Sequence, residues 1–246
     1  MTGSIHIGCC GWGYLREKDF QDQIKRRYRS KLQAYAQLYD CVELNSAFYR
    51  IPKASTAEKW RQEAGEVNKQ FEFTVKMPQI ITHRDRFSMA SVATFEQISE
   101  ICCELAAKVL LFQCPASFGP TKSNIGKMLK FFGTIDRSGF VPVWEPRGRW
   151  FDDPPLIEEV CRECDLVHCA DPFRVQPVYL GSKKIVYFRL HGFGTPSMYR
   201  YDFSKEELQQ VLQHCREIRN EANDIYVFFN NVSCYENGLQ FAEMVG

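Results

Sequence analysis

Eight short apolar runs rich in β-forming residues alternate with segments of helical period along this chain. Strands that alternate with helices predict βαβ units and a parallel sheet. Eight such units share 246 residues, at about 31 residues each, which is typical of a TIM-type (β/α)8 barrel. The predicted strands are Ile5–Gly8, Cys41–Asn45, Phe71–Lys76, Val109–Gln113, Phe140–Glu145, Leu166–Ala170, Ile185–His191 and Ile225–Asn230.

A Rossmann-type sheet is the main alternative, and it normally carries G-x-G-x-x-G after the first strand. The segment Gly8–Gly13 does not have that spacing. Pro172–Lys184 contains two prolines and one glycine without helical period, so we predict an irregular connection between strands six and seven. Because no linker or low-complexity tract divides the chain, residues 1–246 are expected to form one α/β domain.

Three short motifs predict where helices begin. Ser55 with Glu58, and Ser204 with Glu207, have the spacing of a capping box. The pair Asp153–Pro154 is typical of an N-cap followed by proline in the first turn.

The overall charge excludes a strong electrostatic preference for nucleic acid or for an anionic membrane. Lys and Arg number 31 against 30 Asp and Glu. No apolar run reaches the roughly 18 residues of a membrane span, and the N-terminus lacks a signal-peptide pattern. The eleven cysteines are an odd number and lie mostly in apolar stretches, which disfavours a secreted disulfide scaffold. We therefore expect a cytoplasmic protein with free thiols and no membrane partner.

Polar side chains cluster where the predicted strands end, which is the edge of a (β/α)8 barrel that carries active sites. The catalytic candidates are Glu43, Lys76, Glu145 and His191. The substrate-binding candidates are Trp12, Tyr14, Asn45, Tyr49, His83, Gln113, Arg147, Asp171, Arg189, Asn230 and Asn231.

These residue types favour a small anionic or phosphorylated ligand. Guanidinium and ammonium groups suit phosphate and carboxylate. Glu43 or Glu145 is then the candidate general base, and Lys76 or His191 the candidate acid or electrophile, in a hydrolysis, isomerisation or lyase reaction. The alternative is a buried salt-bridge lattice that only closes the barrel mouth.

A metal site is possible at the same strand ends but is not favoured, and no cofactor is assigned. Its ligands would be Glu43, Glu145, Asp171 and His191. The neighbouring Arg and Lys side chains would repel a cation, so the prediction is no metal.

Cys161-x-x-Cys164, followed by Cys169, contains one half of a zinc-type spacing. No second C-x-x-C follows, and the first two cysteines lie on the apolar face of a predicted helix. Core packing is the favoured interpretation of this segment.

Two other function classes remain open. A nucleic-acid-binding or nucleic-acid-processing protein, such as an endonuclease-like barrel, would use rim aromatics with Arg and Lys, and Lys25–Arg27 with Arg29 and Lys31 adds a basic segment. A ligand-binding protein without turnover is the third class. The substrate and the oligomeric state are not assigned by the sequence.

The ordered strand-end motifs resemble the YecE-like family, also classed as domain of unknown function 72. The resemblance implies a TIM-type barrel, and no activity is established for the family. This chain departs from the usual family pattern at Pro146, where a Phe is common, and at Val232–Cys234. The matching segments are Gly8–Tyr14, Val42–Pro52, Phe71–Lys76 with Ile81–His83, Leu111–Pro115, Glu145–Trp150, Tyr187–Gly192 and Phe229–Asn231.

Overall fold

Eight parallel strands close into a barrel in the computed structural model, which describes residues 3–15, 28–137 and 139–246. They follow one another around the barrel in sequence order, and β1 also pairs with β8. This arrangement confirms the predicted TIM-type barrel and all eight predicted strands. The strands are β1 Ser4–Cys9, β2 Cys41–Leu44, β3 Glu72–Lys76, β4 Val109–Gln113, β5 Val141–Glu145, β6 Val167–Ala170, β7 Ile185–Leu190 and β8 Asp224–Phe229.

Helices connect the strands and cover the outside of the barrel. The α-helices are α1 Lys31–Ala36, α2 Ser46–Tyr49, α3 Ala54–Gly65, α4 Val92–Glu104, α5 Lys122–Thr134, α6 Pro154–Cys164, α7 Lys205–Ile218 and α8 Cys234–Val245. A π-helical turn at Ile80–Arg84 and 3-10 turns at Met89–Ser91 and Gly148–Asp152 lie in the loops. Residues 171–184 form turns and irregular segments between β6 and β7, which confirms the predicted irregular connection.

Two of the three predicted helix starts are confirmed. The Ser204–Glu207 capping box opens α7, and Asp153 caps α6 by accepting the Leu156 amide. The prediction at Ser55 is wrong. Lys53, which follows a proline and has an extended backbone, is the N-cap residue of α3, so Ser55 lies inside the first turn.

The barrel interior is apolar in its middle and polar at its C-terminal end. Because side chains alternate along a strand, every second residue points inward. Val109, Leu111, Val143 and Tyr187 pack together inside the barrel. The parallel register places Gln113 of β4 beside Glu145 of β5. The inward side chains at the ends of these strands therefore lie at the same height along the barrel axis.

No helix in the described part of the chain is both long and apolar enough to cross a membrane. All eleven cysteines lie in the described residues, all are free thiols, and Cys103 is the exposed one among them.

Candidate active site at the C-terminal end of the barrel

Arg189 lies at the centre of the C-terminal end of the barrel, between two buried carboxylates. Its Nη2 and Nε donate to the two oxygens of Glu43 at 2.7 and 3.0 Å. Its Nη1 donates to Oε2 of Glu145 at 2.5 Å. All three side chains are inaccessible or nearly so, with Arg189 1% exposed. The ion pairs of one cation and two anions thus link the C-terminal ends of strands β2, β5 and β7.

The electrostatic balance of this cluster keeps both carboxyls ionised. Burial by itself raises the pKa of a carboxyl group because it disfavours the charged form. The positive charge of Arg189 outweighs burial and holds the pKa of Glu43 and of Glu145 below its usual range. In turn, the two carboxylates raise the pKa of Arg189 well above normal, so the guanidinium stays charged.

The cluster continues through two hydroxyls toward β3. Tyr187 donates its hydroxyl to Oε2 of Glu43 at 2.8 Å, and Thr74 Oγ1 lies 2.9 Å from the same hydroxyl. Cys10 approaches from the β1 side, where its sulfur is 3.6 Å from Nη2 of Arg189. Every polar atom of the Glu43 carboxylate is therefore engaged within the protein.

Arg147 and His191 extend the cluster on the side of β5 and β7. Arg147 donates from Nε and Nη2 to Oε1 of Glu145 at 2.8 and 2.6 Å, so Pro146 does not turn it away from that carboxylate. Its Nη2 also lies 3.2 Å from Nε2 of His191, whose Nδ1 is 3.4 Å from Asp171. Because guanidinium groups only donate, this pattern assigns the acceptor role to Nε2 and the proton to Nδ1.

Lys76, at the end of β3, differs from the other cations of the site. No carboxylate lies within 4 Å of its Nζ among the residues the structure describes. The ammonium instead sits over the ring of Phe48, 4.2 Å from the centroid. Burial and the charge of Arg189 lower its pKa to about 8, against the opposing effect of Glu43 and Glu145.

A cavity of about 890 Å³ opens at this end of the barrel, and we name it the Lys76 cavity. Its volume is in the range of small-molecule sites. Seven predicted site residues line it: Tyr14, Asn45, Tyr49, Lys76, Arg189, Asn230 and Asn231.

A second, smaller cavity of about 270 Å³ lies on the other side of the cluster. Four further predicted site residues line it: Glu145, Arg147, Asp171 and His191. The ion-paired side chains therefore form a partition between two spaces instead of surrounding a single one.

Four predicted site residues line neither cavity. Glu43 is buried beneath Arg189. Trp12 packs against the rings of Trp60 and Phe73. The remaining two have local partners: His83 with Thr82 Oγ1 and Phe48, and Gln113 with the carbonyl of Cys114.

The cavity wall also contains residues that the sequence did not single out. Tyr199, in the loop after β7, lines the Lys76 cavity and lies against His191. Cys10 and Tyr235 line it as well. The period-two alternation that runs through Gly8 on β1 could have identified Cys10, whereas no periodic pattern marks Tyr199.

The donor set at the strand ends does not fit a metal ion. The guanidinium of Arg189 occupies the space between Glu43 and Glu145. Across residues 3–15, 28–137 and 139–246, no three potential ligands converge in a metal-binding arrangement.

The cysteine-rich segment does not form a cluster either. Cys161 and Cys164 pack in the layer between helices and strands, whereas Cys169 points into the barrel. Burial raises the pKa of all three thiols. This supports the prediction of core packing.

The basic segment considered for nucleic acid is only partly covered. Lys25–Arg27 lie outside the described residues. Arg29 pairs with Glu66, and Lys31 donates to the carbonyl of Gly13 at 3.0 Å and lines the Lys76 cavity.

Comparison with protein families identifies the evolutionary group. The family model described as "Protein of unknown function DUF72" matches residues 6–246. The chain belongs to the DUF72 family. The resemblance drawn from the strand-end motifs is thereby confirmed.

Relatives within this family match either nearly all of the chain or about a third of it. The UPF0759 protein YunF of Bacillus subtilis is 27% identical over 98% of this chain and 94% of its own length. The UPF0759 protein YecE of Escherichia coli K12 is 29% identical over 37% of this chain and 33% of its own. The crystal structure of a DUF72 family protein from Thermotoga maritima MSB8 covers 98% of this chain and 99% of that one, with 22% identity and a TM-score of 0.74.

A more distant likeness extends to enzymes of the same fold. A D-psicose 3-epimerase solved in the presence of D-fructose aligns with 99% of this chain and 98% of its own, with 10% identity and a TM-score of 0.57. At that identity the likeness concerns the barrel architecture.

Proposed function

We propose that this DUF72 protein is an enzyme that binds a small anionic molecule, phosphorylated or carboxylated, in the Lys76 cavity and acts on it by proton transfer. The observation that carries the proposal is Lys76, whose side chain lines the cavity and whose ammonium has no carboxylate within 4 Å among the described residues. Arg189 faces the same space, but its charge is balanced by Glu43 and Glu145. Lys76 therefore offers the cavity a positive charge that an anion can neutralise.

The geometry supports different roles for the carboxylates and the lysine. Both oxygens of Glu43 and of Glu145 accept hydrogen bonds from Arg side chains, and their lowered pKa makes them weak bases. We infer that they hold Arg189 and Arg147 in place. Lys76, with a pKa of about 8, can both donate and accept a proton near neutral pH, so it is the preferred acid–base group.

Ligand binding by purified protein tests the proposal. The panel contains inorganic phosphate, glycerol 3-phosphate, dihydroxyacetone phosphate and glucose 6-phosphate, measured by thermal shift and calorimetry. At least one compound is expected to stabilise the wild type and Lys69→Met, an exposed control before β3 at the opposite end of the barrel. Loss of a charge-assisted hydrogen bond should weaken binding to Lys76→Met by about tenfold or more. Unchanged binding to Lys76→Met, or no binding at all, would contradict the proposal.

Proton transfer is tested separately from binding. Compounds that bind are incubated with protein in deuterium oxide and examined by mass spectrometry for exchange of carbon-bound hydrogen. Exchange that needs Lys76 supports an enzyme, whereas binding without exchange or conversion supports a ligand-binding protein.

Nucleic-acid binding is a second candidate, favoured by two exposed rings at the cavity rim. Tyr14 is 88% exposed and Tyr49 is 77% exposed, so both could stack on bases. Oligonucleotide binding that weakens steeply with salt and is lost in the Tyr14→Ala, Tyr49→Ala double variant would support this candidate. Absent or salt-independent binding would exclude it.

A further inference from the structure

Lys76 combines three properties that together suit it to covalent chemistry. Its side chain lines an open cavity, its Nζ packs on the ring of Phe48, and no carboxylate lies within 4 Å of that nitrogen among the described residues. A lysine in such surroundings loses its proton more easily than an exposed lysine, and the neutral amine is a nucleophile. An ion-paired lysine would be held in the charged form and would be unreactive.

We propose that Lys76 forms an imine with aldehyde or ketone ligands, so that the substrates of this site are small carbonyl compounds with an anionic group. The inference rests on the proposed function, because it names the ligand class of the same cavity. Lys31, the other lysine in the cavity wall, pairs with no acidic side chain in the described residues and is placed to hold the anionic group.

The chemical steps balance without an oxidant or reductant. The neutral nitrogen of Lys76 attacks the carbonyl carbon, a C–N bond forms, and the π-electron pair moves to oxygen. A proton passes from nitrogen to that oxygen to give a carbinolamine. The oxygen then takes a second proton from solvent and leaves as water, and the nitrogen lone pair forms the iminium. This product makes the neighbouring carbon-bound hydrogen acidic, which links the imine to the proposed proton transfer.

The charges around Lys76 favour attack near neutral pH. Burial has the largest effect and, together with the charge of Arg189, lowers the pKa of the amine, whereas Glu43 and Glu145 oppose this shift. Among the described residues, the titratable groups with the largest effects on Lys76 are Cys10, Glu43, Glu145 and Arg189, and Lys76 in turn acts on His83.

Borohydride trapping tests the inference on the whole protein. Dihydroxyacetone phosphate and glycolaldehyde phosphate are the probes, and reduction of an imine adds the mass of the probe less one oxygen atom. Peptide mapping is expected to place one adduct on Lys76. Between pH 7 and pH 9, the initial rate at Lys76 should rise about tenfold, against about a hundredfold for a lysine whose pKa is the unperturbed value of about 10.4.

Lys76→Arg separates the two proposals because it keeps the charge but cannot form a stable imine. We expect this variant to bind glycerol 3-phosphate, which has no carbonyl, within about threefold of wild type while losing the adduct. Binding by wild type without any Lys76 adduct overturns the imine and leaves the proposed function standing. Equal labelling of Lys69 and Lys76, or adduct yield unchanged in Lys76→Arg, also overturns it. Absence of all binding overturns both.

Discussion

Replacing Arg189 by Met should destabilise the barrel strongly and in a pH-dependent way. The substitution keeps an apolar stem but leaves Glu43 and Glu145, both buried, without their central counter-charge. Removing one partner of a buried ion pair costs about 3–5 kcal/mol of unfolding free energy. For a chain of this size, that loss lowers the melting temperature by about 6–20 °C.

The pH dependence follows from the direction of the carboxyl pKa shifts. In wild type the pKa of Glu43 and Glu145 is lowered, so their contribution is present above the unfolded value of about 4.3 and is lost below it. In Arg189→Met, burial without the guanidinium should raise the pKa of Glu43, whereas Glu145 keeps its pairing with Arg147. When the pKa of a carboxyl is higher in the folded than in the unfolded protein, its protonation stabilises the folded state. The loss of unfolding free energy in Arg189→Met relative to wild type should therefore become smaller from pH 8 to pH 5.

Urea unfolding at pH 8 and pH 5, followed by circular dichroism and tryptophan fluorescence, measures both effects. Arg162→Met is the matched control, because Arg162 pairs with Glu158 on the surface and should cost less than about 1 kcal/mol. Arg189→Lys keeps the charge without the forked geometry and should fall between the two. A loss below about 1 kcal/mol at pH 8 for Arg189→Met, or an equal loss at both pH values, would refute the reasoning.

Three further predictions concern His168, Tyr187 and the cysteine thiols. His168 is buried with its Nδ1 accepting a hydrogen bond from the Val178 amide, and burial lowers its pKa to about 4. Between pH 7 and pH 5, the unfolding free energy of wild type should therefore fall by about 2 kcal/mol relative to that of His168→Asn, as measured by urea unfolding. An equal change in both proteins between these pH values would contradict this prediction. Tyr187→Phe removes the hydroxyl that donates to Glu43 and should cost about 1–3 kcal/mol, so a neutral result would show that this bond contributes nothing. With a thiol reagent, the native protein should react quickly at Cys103 and reach eleven thiols only after unfolding; fewer than eleven would indicate disulfides.

The fold could be predicted from the sequence because its signals are local and periodic. Polar or turn residues bound each apolar run that forms one of the strands β1–β8. Pro172 and Pro177 indicate that no helix connects β6 and β7. Ser55 shows the limit of such local motifs. Its spacing to Glu58 fits a capping box, yet the N-cap of the helix is Lys53, two residues earlier.

The candidate site could be predicted only as a set of strand-end residues. Alternation along β2 and β7 places Glu43 and Arg189 inside the barrel, but sequence does not say which side chains pair there. The pairing determines the proposed chemical roles of these residues. Glu43 is held in an ion pair with Arg189, whereas the side chain of Lys76 lines the cavity. Tyr199 enters from a loop whose path depends on tertiary contacts, so no periodic signal could reveal it.

Nitrogen-15 NMR of the lysine side chains tests the central claim most directly, with the Lys76 signal identified by its loss in Lys76→Arg. The account predicts that the amine of the free protein titrates with a midpoint of about 8. It also predicts that saturating glycerol 3-phosphate raises this midpoint, because a bound anion favours the charged form. A midpoint near the ordinary lysine value of about 10.4 that the anion leaves unchanged would contradict the account.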